Sequence, residues 1–243
     1  MSDESPEYSH WKIDTDDDGI AWLCLDKAES AVNVLSEAVL REFDDILTAY
    51  ESSPPKGLVI YSGKSSGFVM GADINEFTTI ETADQGYELI RIGQQLFDRL
   101  EALSCPVAAV FNGFALGGGM ELAMACTYRL AHDVEKPIIG LPEVQLGLHP
   151  GFGGTVRSVR IAGVRAAMAM MLAGKPIRVK KALAQGFIDG TVSEDNWRDK
   201  ARQLVRSDRP KRRAPLLDRL LNLAYVKRYG LDIGVVTISF EKL

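Results

Sequence analysis

Two glutamates stand in surroundings that are hard to explain without chemistry. Glu121 follows three glycines in Leu116-Gly117-Gly118-Gly119-Met120-Glu121-Leu122, and Glu143 closes Gly140-Leu141-Pro142-Glu143, ahead of His149-Pro150-Gly151-Phe152-Gly153-Gly154-Thr155. A carboxylate set in an otherwise apolar, glycine-rich stretch carries a desolvation cost that something must offset. The first opens a predicted helix and the second lies in a predicted loop, so both can face one molecule, one accepting a proton while the other donates one. Such a pair can add water to a substrate or remove it.

The glycines themselves have a physical reading. Asn112-Gly113-Phe114-Ala115-Leu116 is expected to leave a strand and turn, and Gly117-Gly118-Gly119 to open the helix carrying Met120 to Cys126. Helix openings present unpaired N–H groups and a partial positive charge, and glycine, lacking Cβ, lets a ligand atom approach them. The competing reading is that the glycines only let helix and strand pack closely. Two other glycine signatures fail. Gly63-Lys64-Ser65 has the tail of a phosphate-binding loop, but that motif needs glycine where Leu58 stands, and no G-x-G-x-x-G follows a strand. An oxyanion is left as the target of Gly118.

The frame that must hold these groups reads as α/β. Tyr8 to Ile13 and Ile20 to Leu25 predict strands joined in a hairpin by Thr15-Asp16-Asp17-Asp18-Gly19. From the N-cap candidate Ser36, the positions Val39, Leu40, Phe43, Ile46, Leu47 and Tyr50 keep helical spacing until Pro54 and Pro55. Gly57 to Tyr61 predicts a buried strand, Ala83 to Leu103 a long helix, and Val107 to Val110 another strand after Pro106. Strands separated by helices imply a mainly parallel sheet covered by helices. Beyond Gly151 the pattern turns helical, with Thr155 to Ile161, Ala166 to Ala173, Val179 to Gln185, Asn196 to Ser207 and Pro215 to Tyr225 as candidates. There is no internal repeat.

Composition narrows the classes further. With 243 residues, 46% of them hydrophobic, the chain is long enough for one sizeable core with a small appendage. We expect a catalytic core over residues 1–206 and a helical tail over 207–243, the latter a truncated linker in form. The acidic start, Met1 to Glu7, is unlike a signal peptide, and no apolar run reaches the roughly 20 residues of a membrane span; a cytoplasmic location is the expectation. A net charge of −5 argues against a nucleic-acid partner. The basic run Arg206, Arg209, Lys211, Arg212, Arg213 reads as a solvated linker rather than a phosphate patch. Cys24, Cys105 and Cys126 read as buried free thiols, and neither they nor His10, His132 and His149 have metal-ligand spacing.

Three segments together make a specific resemblance. Ser66-Gly67-Phe68-Val69-Met70-Gly71-Ala72-Asp73-Ile74, then Asn112 to Cys126, then Gly140 to Thr155 resemble, in order, the three signatures of the enoyl-CoA hydratase/isomerase (crotonase) family. The resemblance covers most of residues 8–206 and is nearest to the N-terminal hydratase portion of multifunctional fatty-acid oxidation enzymes. It implies a crotonase-like ββα spiral with a helical C-terminal region. It also implies that the main-chain N–H groups of Ala72 and Gly118 form an oxyanion hole for a thioester. Glu121 and Glu143 match the two catalytic glutamates of the family's hydratases. Glu121 would activate water for attack at C3 of a trans-2-enoyl-CoA, and Glu143 would protonate C2, giving a 3-hydroxyacyl-CoA in β-oxidation.

The remaining assignments follow from the same resemblance. Ala28, Ser30 and Ala31 lie where the family contacts the nucleotide end of CoA; Gly71, Asp73, Ile74, Gly117, Leu141, Pro142 and Gly151 join them as substrate-binding positions. Lys27 and Lys64 are the cations nearest for the CoA phosphates, while Met70, Ile74, Phe77, Leu141 and Phe152 are acyl-pocket candidates or ordinary core. No metal and no cofactor are implied, since coenzyme A belongs to the substrate. The assembly implied is a homotrimer or hexamer of trimers, or fusion to or association with other β-oxidation activities. Δ3-Δ2-enoyl-CoA isomerisation, another reaction of the family, or a noncatalytic acyl-CoA-binding role are the alternatives. Two departures stand out: Thr127 where close relatives carry aspartate, and a lengthened turn, Asp133 to Pro137, between the glutamates, expected to bulge outward.

Overall fold

The computed structural model describes residues 7–219, apart from 79, 137 and 208. The chain opens on β1 (Trp11–Thr15) and β2 (Ile20–Leu25), an antiparallel hairpin with Trp11 opposite Leu25 and Thr15 opposite Ala21. Helix α1 (Glu37–Ser52) follows, capped by the Ser36 side chain, which accepts from the Val39 N–H. It buries Val39, Leu40, Phe43, Ile46 and Leu47, the five positions spaced for one helical face.

Three turns of a spiral come next, each built strand, strand, helix. The first is β3 (Gly57–Ser62), β4 (Gly67–Val69) and α3 (Ala83–Ala102), with the single turn α2 (Ile74–Phe77) interposed. The second is β5 (Val107–Phe111), β6 (Phe114–Leu116) and α4 (Gly118–Ala125). The third is β7 (Tyr128–His132), β8 (Ile139–Gly140), a 3-10 turn (Glu143–Leu146) and α5 (Gly154–Ala162). Helices α6 (Val164–Ala173) and α7 (Val179–Gln185), strand β9 (Gly190–Val192) and helix α8 (Trp197–Val205) complete the described body.

The first strand of every turn joins one six-stranded sheet, ordered β1-β2-β3-β5-β7-β9 and parallel except at the hairpin. The second strands form a separate parallel sheet, β4-β6-β8. This α/β spiral is the architecture the resemblance implies. The large sheet is covered on both faces, so its strands read as continuous apolar runs and not as alternation. Odd and even positions still part company. Ala21, Leu23, Ile60 and Ala109 enter the main core. Ile20, Trp22, Val59, Ala108, Val110 and Tyr128 face a second core, closed by Ala201 and Val205 of α8. Each fully buried side chain of Leu, Ile or Phe size contributes about 1.5–3 kcal/mol relative to exposure.

Three expectations need correcting. Phe114 to Leu116 does not simply turn but forms β6, because its main chain pairs with β4 and β8. Glu143 opens a 3-10 turn instead of sitting in an irregular loop. The basic run is solvated only in part: Arg206, Arg209 and Arg213 are exposed, while the main chain and Lys211 are held on the body. Tyr128 donates its hydroxyl to the Arg209 carbonyl, Lys211 pairs with Glu101 at 2.6 Å, and the Ala214 N–H donates to the Arg160 carbonyl. Lys211, Arg212 and Arg213 line a cavity of about 500 Å³ together with Arg157 and Arg160.

The turn after β7 lies at the surface, with Asp133, Glu135 and Lys136 exposed and Ile138 already buried. At Thr127, the hydroxyl accepts the Val107 N–H at 3.1 Å, tying the start of β5 to the end of α4. All three cysteines are free and buried. No helix among the described residues is long and apolar enough to cross a membrane, and no group of three or more potential metal ligands occurs among them. Of the predicted helix from Pro215, residues 216–219 are helical; its remainder and most of the expected tail lie outside the described residues.

Candidate active site

The N-terminal end of α4 gathers the groups singled out by the sequence. Leu35 and Ala72 pair as an isolated parallel bridge: Leu35 donates its N–H to Gly71, and Asp73 donates its N–H to the Leu35 carbonyl. In that pattern the N–H and C=O of Ala72 point away from Leu35. The opening of α4 lies close by, and a methyl group placed on Gly118 would come within 3.4 Å of the Ala72 nitrogen. Gly118 is the first residue of α4, so its own N–H has no partner within the helix. Two main-chain donors therefore flank one small space, walled by Leu35 and Phe152, whose side chains lie 3.1 and 3.3 Å from that same hypothetical methyl.

The two carboxyls come to the opening of α4 from different elements. Glu121 is in the first turn of α4 and is 2% exposed; its Oε1 accepts the Gly154 N–H at 2.7 Å. Gly154 must be glycine for this, because a Cβ there would lie 2.8 Å from Glu121 Oε1. Glu143 comes over from the 3-10 turn until its Oε1 is 3.1 Å from where a Cβ on Gly117 would stand, while its Oε2 is buried without a hydrogen-bond partner. Gly117 has φ of 50°, a conformation glycine adopts without strain.

Electrostatics follow from burial. Desolvation pushes the Glu121 carboxyl up to about 8; the Glu143 charge adds to the rise, and main-chain groups of Gly154 and Phe152 and the Arg157 charge oppose it. Desolvation likewise raises Glu143 to about 7. Both carboxyls are thus held above the usual range, and each charge opposes the other, so the pair can divide the roles of proton donor and acceptor.

The other predicted positions divide. The Ala28 to Leu35 segment runs beside residues 66–73: Ser66 donates its hydroxyl to the Ala31 carbonyl at 2.8 Å, Met70 its N–H to Asn33, and Ser30 turns inward onto the Val32 carbonyl. His10 Nδ1 accepts the Ala28 N–H at 3.2 Å. Asp73 caps α2 and lies 3.9 Å from Lys27, and Lys64 pairs with Asp26 at 2.8 Å. Both lysines thus lie beside carboxylates. Met70 and Ile74 are exposed, Leu141 is fully buried, and Phe152 is buried against Phe97. Pro142 precedes the 3-10 turn, and the Gly151 carbonyl accepts from Gln94. Of the Phe77 side chain nothing is described. Sequence reasoning missed Leu35 and Gly154. Leu35 reads as core, and only the second glycine of Gly153-Gly154 hinted at a close approach.

Residues 15–218 match the family model described as enoyl-CoA hydratase/isomerase. The chain belongs to that family. Among its curated relatives, the fatty acid oxidation complex subunit alpha of Idiomarina loihiensis is 39% identical over 218 residues, covering 89% of this chain and 31% of the relative. The protein of the same name from Shewanella frigidimarina is 46% identical over 177 residues, covering 72% and 25%. The chain thus spans about a quarter to a third of these relatives' length. Among solved structures, an enoyl-CoA hydratase from Bacillus anthracis superposes with a TM-score of 0.74 at 29% identity, covering 81% of this chain and 75% of that one.

Proposed function

We propose that this family member is an enoyl-CoA hydratase that adds water to a trans-2-enoyl-CoA, giving the 3-hydroxyacyl-CoA, as one activity of a larger fatty-acid oxidation system. The observation that carries the reading is the convergence of Glu121 and Glu143 on the opening of α4, beside the N–H groups of Ala72 and Gly118. The thioester carbonyl sits between those donors, which stabilise the negative charge that grows on its oxygen as water attacks C3. Water is held between the carboxyls. Glu121 takes its proton as the oxygen bonds to C3, and Glu143 delivers a proton to C2. The proton count on the enzyme is unchanged.

Hydration needs Glu121 ionised and Glu143 protonated. The Gly154 N–H held on Glu121 Oε1 favours the ionised form of Glu121, and the unpartnered Oε2 of Glu143 is free to carry the proton delivered to C2.

Coenzyme A enters as part of the substrate and no further cofactor is required. Its nucleotide end is assigned to the Ala28–Ala31 segment, beside the Gly71–Ile74 strip. In a longer protein of the relatives' kind, or in a trimer or hexamer of trimers, a neighbour would cover the exposed Val144, Leu146, Leu148, Met168 and Leu172. The test is loss of the conjugated-thioester absorbance of crotonyl-CoA. Turnover of a 3-enoyl-CoA without water uptake, and none of crotonyl-CoA, would replace hydration by isomerisation. Binding without turnover would leave an acyl-CoA-binding subunit.

A further inference from the structure

Arg157 is a buried charge beside the site that the chemistry above leaves unused. It lies on α5, one turn past Gly154, and its side chain is 5% exposed. All three guanidinium nitrogens are engaged in different directions. Nη1 donates to the Phe152 carbonyl at 2.9 Å, Nε to Glu101 at 2.8 Å and Nη2 to Asp98 at 2.5 Å. The two carboxylates belong to α3, so Arg157 ties the Phe152–Gly154 turn to that helix. Gly153 leaves room for the guanidinium where any side chain would collide with it. Phe152 is further seated by α3, its ring against Gly93 and edge-on to Phe97 at 5.6 Å, and Gln94 holds the neighbouring Gly151 carbonyl at 2.7 Å. The far end of the same turn supplies the Gly154 N–H that grips Glu121.

We propose that Arg157 is a positioning residue for Glu121: anchored on Asp98 and Glu101, it fixes the Phe152 carbonyl, and with it the turn whose Gly154 N–H holds the Glu121 carboxylate. It acts through the turn and through its charge, and touches no substrate. This deepens the hydratase reading and rests on it only for the consequence in turnover. Among the described residues, the charged groups facing Glu121 are Glu143 from the 3-10 turn and Arg157 from α5. Behind Arg157 stand Asp98 and Glu101, and Glu101 is shared with Lys211. Both the grip of the N–H and the cationic charge favour the ionised form of Glu121. Losing them moves its titration upward. A lysine keeps one charge but cannot reach three acceptors in one plane.

The experiment reads Glu121 directly, without substrate, by carboxyl-carbon NMR of glutamate-labelled protein, with the resonance assigned by Glu121→Gln. In Arg157→Gln the midpoint of Glu121 is expected to rise by about one pH unit, and in Arg157→Lys by less. The Gly154 amide is expected to exchange with solvent at least about tenfold faster in both, since its turn has lost an anchor. A folded Arg157→Gln protein with an unmoved midpoint overturns the proposal, leaving Arg157 as packing between α3 and α5. If Arg157→Gln does not fold, Arg157→Lys decides, and unchanged Gly154 exchange there overturns it equally. Failure of the hydratase reading would appear instead as absent crotonyl-CoA turnover in the unaltered protein, with the titration unaffected.

Discussion

The two glutamates are the same residue in two very different mounts. Glu121 sits in the first turn of a helix whose every described residue is buried, gripped by an N–H from the next spiral turn. Glu143 sits on a 3-10 turn with no buried residues, followed by Val144, Leu146 and Leu148, which are 42%, 63% and 52% exposed. One carboxyl is therefore fixed by packing, and the other stands on a rim with a free oxygen turned inward. The difference teaches how one site can combine a carboxyl locked in packing with one left partly open at its edge, a division that suits the proton-transfer roles proposed for them.

The strongest way to break this comparison is to neutralise each acid. Glu121→Gln and Glu143→Gln are each expected to lower crotonyl-CoA hydration by about 10² to 10⁴-fold, and the double variant by little more than the worse single one, since the two act as a unit. Near-native turnover in either single variant would remove that acid from the chemistry. Gly118→Ala comes next. Its methyl would meet Leu35, Phe152 and the Ala72 nitrogen at 3.1 to 3.4 Å, filling the space proposed for the thioester oxygen; kcat should fall by about 10² to 10³ while the melting temperature stays close to native.

Smaller effects sharpen the contrast between the mounts. Gly154→Ala presses on Glu121 at 2.8 Å in a buried site that cannot yield, so both activity and stability should drop, stability by about 1–3 kcal/mol in denaturant unfolding. Gly147→Ala, on the outer side of the Glu143 turn, meets nothing within 4 Å; its φ of 72° alone opposes the change, and the cost is expected near 1 kcal/mol with turnover largely kept. Last is pH. Both acids have folded-state values above the ordinary 4.5, so the folded protein retains protons that the unfolded chain has released. Their contribution to stability is whole below about pH 4.5 and declines as the pH rises toward 8. Melting temperature should fall across that window by a few degrees, less steeply in Glu121→Gln; an equal slope in both proteins would contradict the buried placement.

Much of this was legible in the residues, for identifiable reasons. Helices α1 and α3 carry side-chain caps at Ser36 and Thr82 and one continuous apolar face, signals contained within each segment. The small sheet was not legible, because β4, β6 and β8 are two or three residues long and gain their hydrogen bonds from segments far away in sequence. At the site, the glutamates stood out by their glycine neighbours. Arg157 did not, since an arginine in an amphipathic helix reads as solvated until Asp98 and Glu101 of α3 are seen around it.

The isolated Leu35–Ala72 bridge has a consequence for how competence is acquired during synthesis. The pocket draws one part from each circuit of the coil and one from the segment ahead of it: Leu35 before the first turn, Ala72 in the first, Gly118 with Glu121 in the second, and Glu143 with Gly154 in the third. No nascent fragment ending before residue 154 can hold all of them, and loop closure over such separations is slow compared with local helix formation. Turnover thus serves as a reporter that the last coil has docked on the first.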